Sequence, residues 1–176
     1  MSLRAALVAL AVVACGAPAA PPTPAPARGP TLALVDRAVD LDGASIGAPA
    51  AAQVATVVVV FASLCVHCRE EMPVLAALAA RHPEVRVLGI NYRAHEEYDG
   101  RGDAAAVRAF VAEQAPWLRV VPADEAVWKS LGAPPKVPTV LVFDRAGALV
   151  RAFDRRAEPI PDLAALEAAL AAVSPG

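Results

Sequence analysis

Val57-Val58-Val59-Val60-Phe61-Ala62-Ser63-Leu64-Cys65-Val66-His67-Cys68-Arg69-Glu70-Glu71-Met72-Pro73 is the stretch that decides the fold. It opens inside a nearly continuous β-branched run, Val54–Phe61, which predicts a strand buried on both faces. It closes inside a helix-like segment, Arg69–His82, with Met72, Leu75 and Leu78 as apolar positions. Two thiols, Cys65 and Cys68, stand between them. The first turn of a helix brings residues at this spacing together, so the pair can close a small disulfide ring. Unpaired N–H groups and the helix dipole at that end favour a thiolate, and the thiolate is the nucleophile of disulfide exchange. The other reading of two such cysteines is half of a zinc site. That needs two more ligands, whereas His82 and His95 are isolated and there is no second cysteine pair.

The chain of 176 residues suffices for one domain and a targeting segment. A net charge of −2 argues against a nucleic-acid partner. Met1–Arg4 is a weakly positive start, and Ala5–Val13 is apolar but too short to span a bilayer. Val12-Val13-Ala14-Cys15-Gly16 then resembles a bacterial lipobox. That resemblance implies lipidation of Cys15 as the first mature residue, so that 1–15 is a lipoprotein-type signal peptide. An ordinary signal peptide cut after Ala17 or Ala20 is the alternative. Residues 16–30, rich in Ala and Pro, favour extended states and read as a tether of roughly 45 Å at about 3.1 Å per residue. The domain is expected over 31–176. With one of three cysteines assigned to lipid, the other two form one pair. A domain of this size needs no disulfide staple, so the pair reads as chemical.

Alternating apolar positions in Thr31–Asp42 predict one or two weak strands. Glu84–Asn91 predicts a strand and Tyr92–Gly102 a polar loop. Asp103 is a plausible N-cap for a helix through Glu113. Leu118–Val121 predicts a short strand and Asp124–Leu131 a short helix. Thr139–Phe143 and Ala148–Phe153 flank a hairpin turn, and Asp162–Val173 predicts the last helix. Helices between the first strands imply parallel pairing by crossover, with antiparallel strands added by the hairpin. The expected architecture is α/β, a central mixed sheet with helices on both faces.

These landmarks resemble the thioredoxin superfamily, and within it the TlpA/ResA-like extracytoplasmic thiol–disulfide oxidoreductases. The first is the buried strand, Cys-X-X-Cys and Arg-Glu-Glu-Met-Pro. The second is Val137-Pro138-Thr139-Val140-Leu141-Val142-Phe143-Asp144 with Gly147 after it. The resemblance covers Thr31 to Val173 and implies a thioredoxin-like fold. It implies that Cys65 attacks, Cys68 resolves, and Glu71 assists proton transfer. It also implies a helix that starts near Cys65 and is kinked at Pro73, where local sequence alone would start a helix. Pro138 is expected to be cis and, with the Val137 backbone, to offer a strand-like edge to substrate. His67, in the second intervening position, is a candidate for tuning the Cys65 thiolate. Leu64 and the proline-free Val66-His67 depart from the family pattern, which bears on potential and substrate preference. No cofactor or metal is expected, since the sulfurs carry the electrons. The implied partners are client proteins with cysteine pairs and a membrane thiol-transfer partner. The implied setting is a monomer in the periplasm or cell envelope, tethered to a membrane by its lipid. A thiol peroxidase of the same fold, a metal-binding envelope lipoprotein and a structural lipoprotein with an inert cystine are the competing readings.

Overall fold

The branched run forms β1, Ala55–Phe61, and every residue of it is buried. The strand sits mid-sheet, which is why it lacks polar alternation. The computed structural model describes residues 29–156 and 158–173. Cys15 and most of the expected tether lie outside the described residues. Within them β1 pairs in parallel with β2, Val85–Tyr92, and antiparallel with β4, Thr139–Asp144. Strands β3, Arg119–Ala123, and β5, Leu149–Phe153, complete the order β3-β2-β1-β4-β5. The sheet is mixed, with the antiparallel strands supplied by the hairpin.

Alternate residues of β1 feed two apolar layers. Val57, Val59 and Phe61 face a layer that includes Met72, Leu75 and Leu78 of α1, Val66–Arg81. Val107 and Phe110 of α3, Ala104–Gln114, and Leu166 of α5, Leu163–Ala171, join the same layer. Val58 and Val60 face the other, built from Leu32, Val35, Ile46 and Leu131, with Val127 of α4, Glu125–Ser130, packed against it. Helices therefore cover both faces, although α4 shares its side with the chain's first ordered segment.

That segment differs from expectation. Thr31–Asp42 forms turns, with isolated bridges from Thr31 to Ala148 and from Val39 to Ser45. Its apolar residues plug the second layer singly, and the Asp40 carboxylate accepts from the N–H groups of Asp42 and Ala44, a local bond that competes with strand pairing. Pro30, placed at the end of the tether, already rests against Gly132. The polar stretch after β2 also departs from a plain loop, since it winds into a short helix, α2, Arg93–Glu96, and a 3-10 turn, Tyr98–Gly100.

Helix α1 starts at Val66, and Pro73 lies inside it. Pro73 and Arg69, whose carbonyl loses its intrahelical partner, are both exposed, so the unmade bond falls on the wet side. Asp103, Asp124 and Asp162 cap α3, α4 and α5 through their side chains.

Candidate active site

Cys65 is the N-cap of α1, and its Sγ accepts the backbone N–H of Cys68 at 3.2 Å. A sulfur here stands where a serine hydroxyl would cap a helix. Cys65 is half-buried, whereas Cys68 is fully buried in the layer beneath α1. Leu64 and Val66, 49% and 66% exposed, give the approach to Cys65 an apolar rim.

The two thiols are pushed in opposite directions. The Cys68 thiol donates to Cys65 and favours its anion; with the Cys68 N–H and the charges of His67 and Arg155, it brings the Cys65 pKa down to about 6 against the opposing effect of burial. Burial drives the Cys68 thiol up, and the hydrogen bond to Cys65 holds its proton further. One sulfur is thus a thiolate at neutral pH and the other keeps its hydrogen.

Glu71 shares the buried face of α1 with Cys68, Met72, Leu75 and Leu78. It is 1% exposed and its Oε1 has no hydrogen-bond partner. Burial raises its pKa to about 7. An exposed glutamate merely complementing the helix dipole would show neither feature. His67, by contrast, is exposed and its Nδ1 lies 2.9 Å from Oε2 of Glu70, an equally exposed neighbour.

The Val137–Pro138 peptide is cis. The chain reaches it from α4 through a loop anchored by Trp128, whose Nε1 donates to the Pro134 carbonyl at 3.1 Å and whose ring stacks on Tyr92. Thr139 Oγ1 donates back to the Lys136 carbonyl at 2.8 Å. Val137 and Cys65 both pack against the layer that contains Cys68.

Two supports were not legible in the sequence. Glu96, 3% exposed, accepts from Ser63 N and Asn91 Nδ2 at 2.8 Å each, and from Ser63 Oγ. It ties α2 to the turn leading into Cys65. The other is Arg155, in the loop after β5, whose Nη1 donates to the Val137 carbonyl at 2.9 Å. Neither lies in a motif. Glu96 sits in a run that reads as a solvated loop, and Arg155 in the charged stretch Asp154-Arg155-Arg156. Among the described residues, no three His, Cys, Asp or Glu side chains gather as a metal site would require.

No family model matches the sequence, and no curated protein does. Solved structures do match. A secreted disulfide oxidoreductase of Mycobacterium tuberculosis, homologous to DsbE of E. coli, is 22% identical over 77% of this chain and 94% of its own, with a TM-score of 0.60. A thiol:disulfide interchange protein of the thioredoxin family from Chlorobium tepidum TLS is 19% identical over 84% of this chain and 97% of its own, at 0.61. A thioredoxin-like protein from Aeropyrum pernix is 17% identical over 77% and 88%, at 0.63.

The fold is thioredoxin-like. In this thioredoxin-like chain, Cys65, Cys68, Pro138 and Val137 come to one end of the sheet, because β1 ends where β4 begins. Cys65 presents a reactive sulfur to solvent and Cys68 a protected one behind it. Chemically the arrangement suits attack on an external sulfur followed by internal displacement.

Proposed function

We propose that the protein is an extracytoplasmic thiol–disulfide oxidoreductase that exchanges a Cys65–Cys68 disulfide or dithiol with cysteine pairs of client proteins. The observation that carries this reading is a half-exposed thiolate at a helix N-terminus with a buried thiol one turn behind it. In the reducing direction, Cys65 Sγ attacks one sulfur of a client disulfide, and the client's other sulfur leaves as a thiolate. Cys68 then gives its proton to a base and attacks Cys65 Sγ, expelling the second client thiolate. The client gains two electrons, and the Cys65–Cys68 bond holds the oxidised state. The oxidising direction is the same sequence reversed.

Glu71 is the base in this proposal. A carboxyl with a pKa near 7 is half ionised at neutral pH, and its ionised form accepts the proton that Cys68 gives up as it attacks and returns it in the reverse direction. Val137 and Pro138 form the edge along which an extended client segment lies. His67 tunes Cys65 through its charge. Cys15 carries the lipid, 16–30 spaces the domain from the membrane, and a membrane thiol-transfer partner resets the pair. The protein works as a monomer without a cofactor.

The test is equilibration of the full chain with glutathione redox buffers, followed by mass spectrometry of the Cys65–Cys68 peptide. A single two-electron transition is expected, lost in Cys65→Ser, with Cys68→Ser trapping a mixed disulfide. Consumption of hydrogen peroxide with no turnover of protein disulfides would favour the peroxidase reading instead. Detergent partitioning of wild type against Cys15→Ser tests the anchor. Equal partitioning of the two rules it out.

A further inference from the structure

The loop after β5 returns a cation to the cysteine pair. Arg155 has a φ of +60°, a left-handed backbone that residues with a Cβ seldom adopt. Its guanidinium donates to the Val137 carbonyl, and Lys136 Nζ reaches the Arg155 carbonyl at 3.4 Å. Each loop thus holds the other, a side chain of one on the backbone of the other. The guanidinium is thereby pinned to the residue before Pro138, at the same end of the sheet as both sulfurs.

Its charge acts on both thiols and lowers each. The other groups acting on Cys65 come from α1, namely the Cys68 thiol and backbone and the His67 ring. His67 is exposed and engaged with Glu70. A guanidinium keeps its charge across the working pH range. Arg155 is therefore a permanent cation acting on both thiols, alongside the Arg69 guanidinium that donates to the Ser63 carbonyl.

We propose that Arg155 is a positioning residue of the exchange site: bound to the Val137 carbonyl, it holds a fixed positive charge beside the Cys65–Cys68 pair and favours the reduced pair over the disulfide. This rests on the exchange reading above. With glutathione, the protein disulfide and two glutathione thiols give the Cys65 thiolate, the Cys68 thiol, glutathione disulfide and one released proton. The product side carries the new anion, so a nearby cation pulls the equilibrium that way.

The experiment compares full-length wild type, Arg155→Met, Arg155→Gln and Arg155→Lys. Iodoacetamide alkylation of Cys65 is followed against pH, peptide by peptide, and the glutathione equilibrium is read on the same samples. Arg155→Met removes charge and donor, Arg155→Gln keeps a donor without charge, and Arg155→Lys keeps the charge. Met and Gln are expected to move the alkylation midpoint to higher pH. They should shift the glutathione equilibrium about fivefold toward the disulfide, as one unit charge across a half-solvated site would, which is about 20 mV. Lys should restore most of both. If Arg155→Met does not fold, Arg155→Gln decides in its place. Wild-type midpoints in the folded charge-free variants would overturn the proposal, as would a Lys variant displaced as far as Met. If glutathione fails to exchange with the wild-type pair, the exchange reading falls, while the alkylation profile still decides the charge effect of Arg155.

Discussion

The N–H of Cys68 points at Cys65 Sγ across 3.2 Å, so the buried cysteine stabilises the half-exposed one before any substrate arrives. The same N–H lies 3.1 Å from the Cys65 carbonyl, a tight 3-10-type contact, while the Arg69 N–H makes the first α-helical bond to that carbonyl at 3.3 Å. Nucleophile and helix cap are one atom. Closing the disulfide removes the negative charge from that atom and weakens the cap, which couples helix α1 to the redox state.

Cys65 has a pKa lowered to about 6 from an ordinary thiol's 9.0. Its rate of attack on a small aromatic disulfide should rise tenfold per pH unit below about 6 and level off above about 7, since only the thiolate attacks. Stopped-flow absorbance gives the profile. A midpoint near that of an ordinary thiol would remove the argument for an activated sulfur.

Glu71 gives a stability prediction of opposite sense. Its folded pKa, about 7, lies above its ordinary 4.5. The folded state therefore binds the extra proton between these values, and stability falls as pH rises through that window. Glu71→Gln should be more stable than wild type at pH 8, by on the order of 3 kcal/mol, and should lose that advantage below pH 4.5. Urea unfolding at the two pH values reads this. The same variant should slow release of the mixed disulfide if Glu71 is the base for Cys68. Unchanged release would leave Glu71 as a buried acid without that role.

Glu96 is bonded by Ser63 and Asn91 with little access to water. Glu96→Ala strands the Ser63 N–H and leaves the Asn91 amide only its weaker bond to the Phe61 carbonyl, and should destabilise the fold by roughly 2–4 kcal/mol. Freed of its clasp, the Ser63-Leu64 turn should also present Cys65 less well, lowering the exchange rate at pH values where the thiolate is complete. Thermal melting and the plateau rate are the two measurements. A destabilised variant with the wild-type plateau would make Glu96 structural only.

Gly89 of β2 is a packing prediction. A Cβ there would lie 2.9 Å from side-chain carbons of Leu118 and Val120 and 3.0 Å from the Phe61 ring. Phe61 in turn stacks on Phe110 at 5.3 Å, so it has little room to retreat. Gly89→Ala should cost about 1–3 kcal/mol, measured by urea unfolding. A neutral substitution would mean that the layer beneath the cysteine approach is looser than these contacts describe.

Much of the site was readable because its chemistry is local. The buried strand, the two cysteines and the helix after them are consecutive, so one stretch of sequence carries nucleophile, cap and core face together. Helix caps at Asp103, Asp124 and Asp162 are open to the same local reading. Thr31–Asp42 departs from the strands its pattern predicts because alternation of apolar residues signals burial as readily as pairing; here Leu32 and Val35 are buried by a turn-rich chain. Local sequence alone would start the helix at Pro73, which looks like a first-turn residue until the exposure of the broken bond is known; α1 starts at Val66, near Cys65 as the resemblance implied.

Sequence alone determined that a CxxC pair follows a doubly buried strand and meets a helix, because hydrophobic pattern and spacing act within a few residues. Tertiary structure decided which distant groups support the sulfurs, Arg155 through its charge and Glu96 through the turn before Cys65. Arg155 and Glu96 reach the site from 90 and 31 positions beyond Cys65, through bonds to Val137 and Ser63 that exist only once the sheet has brought β1, β2, β4 and β5 together. Electrostatics depends on distance in space, and chain order does not encode it.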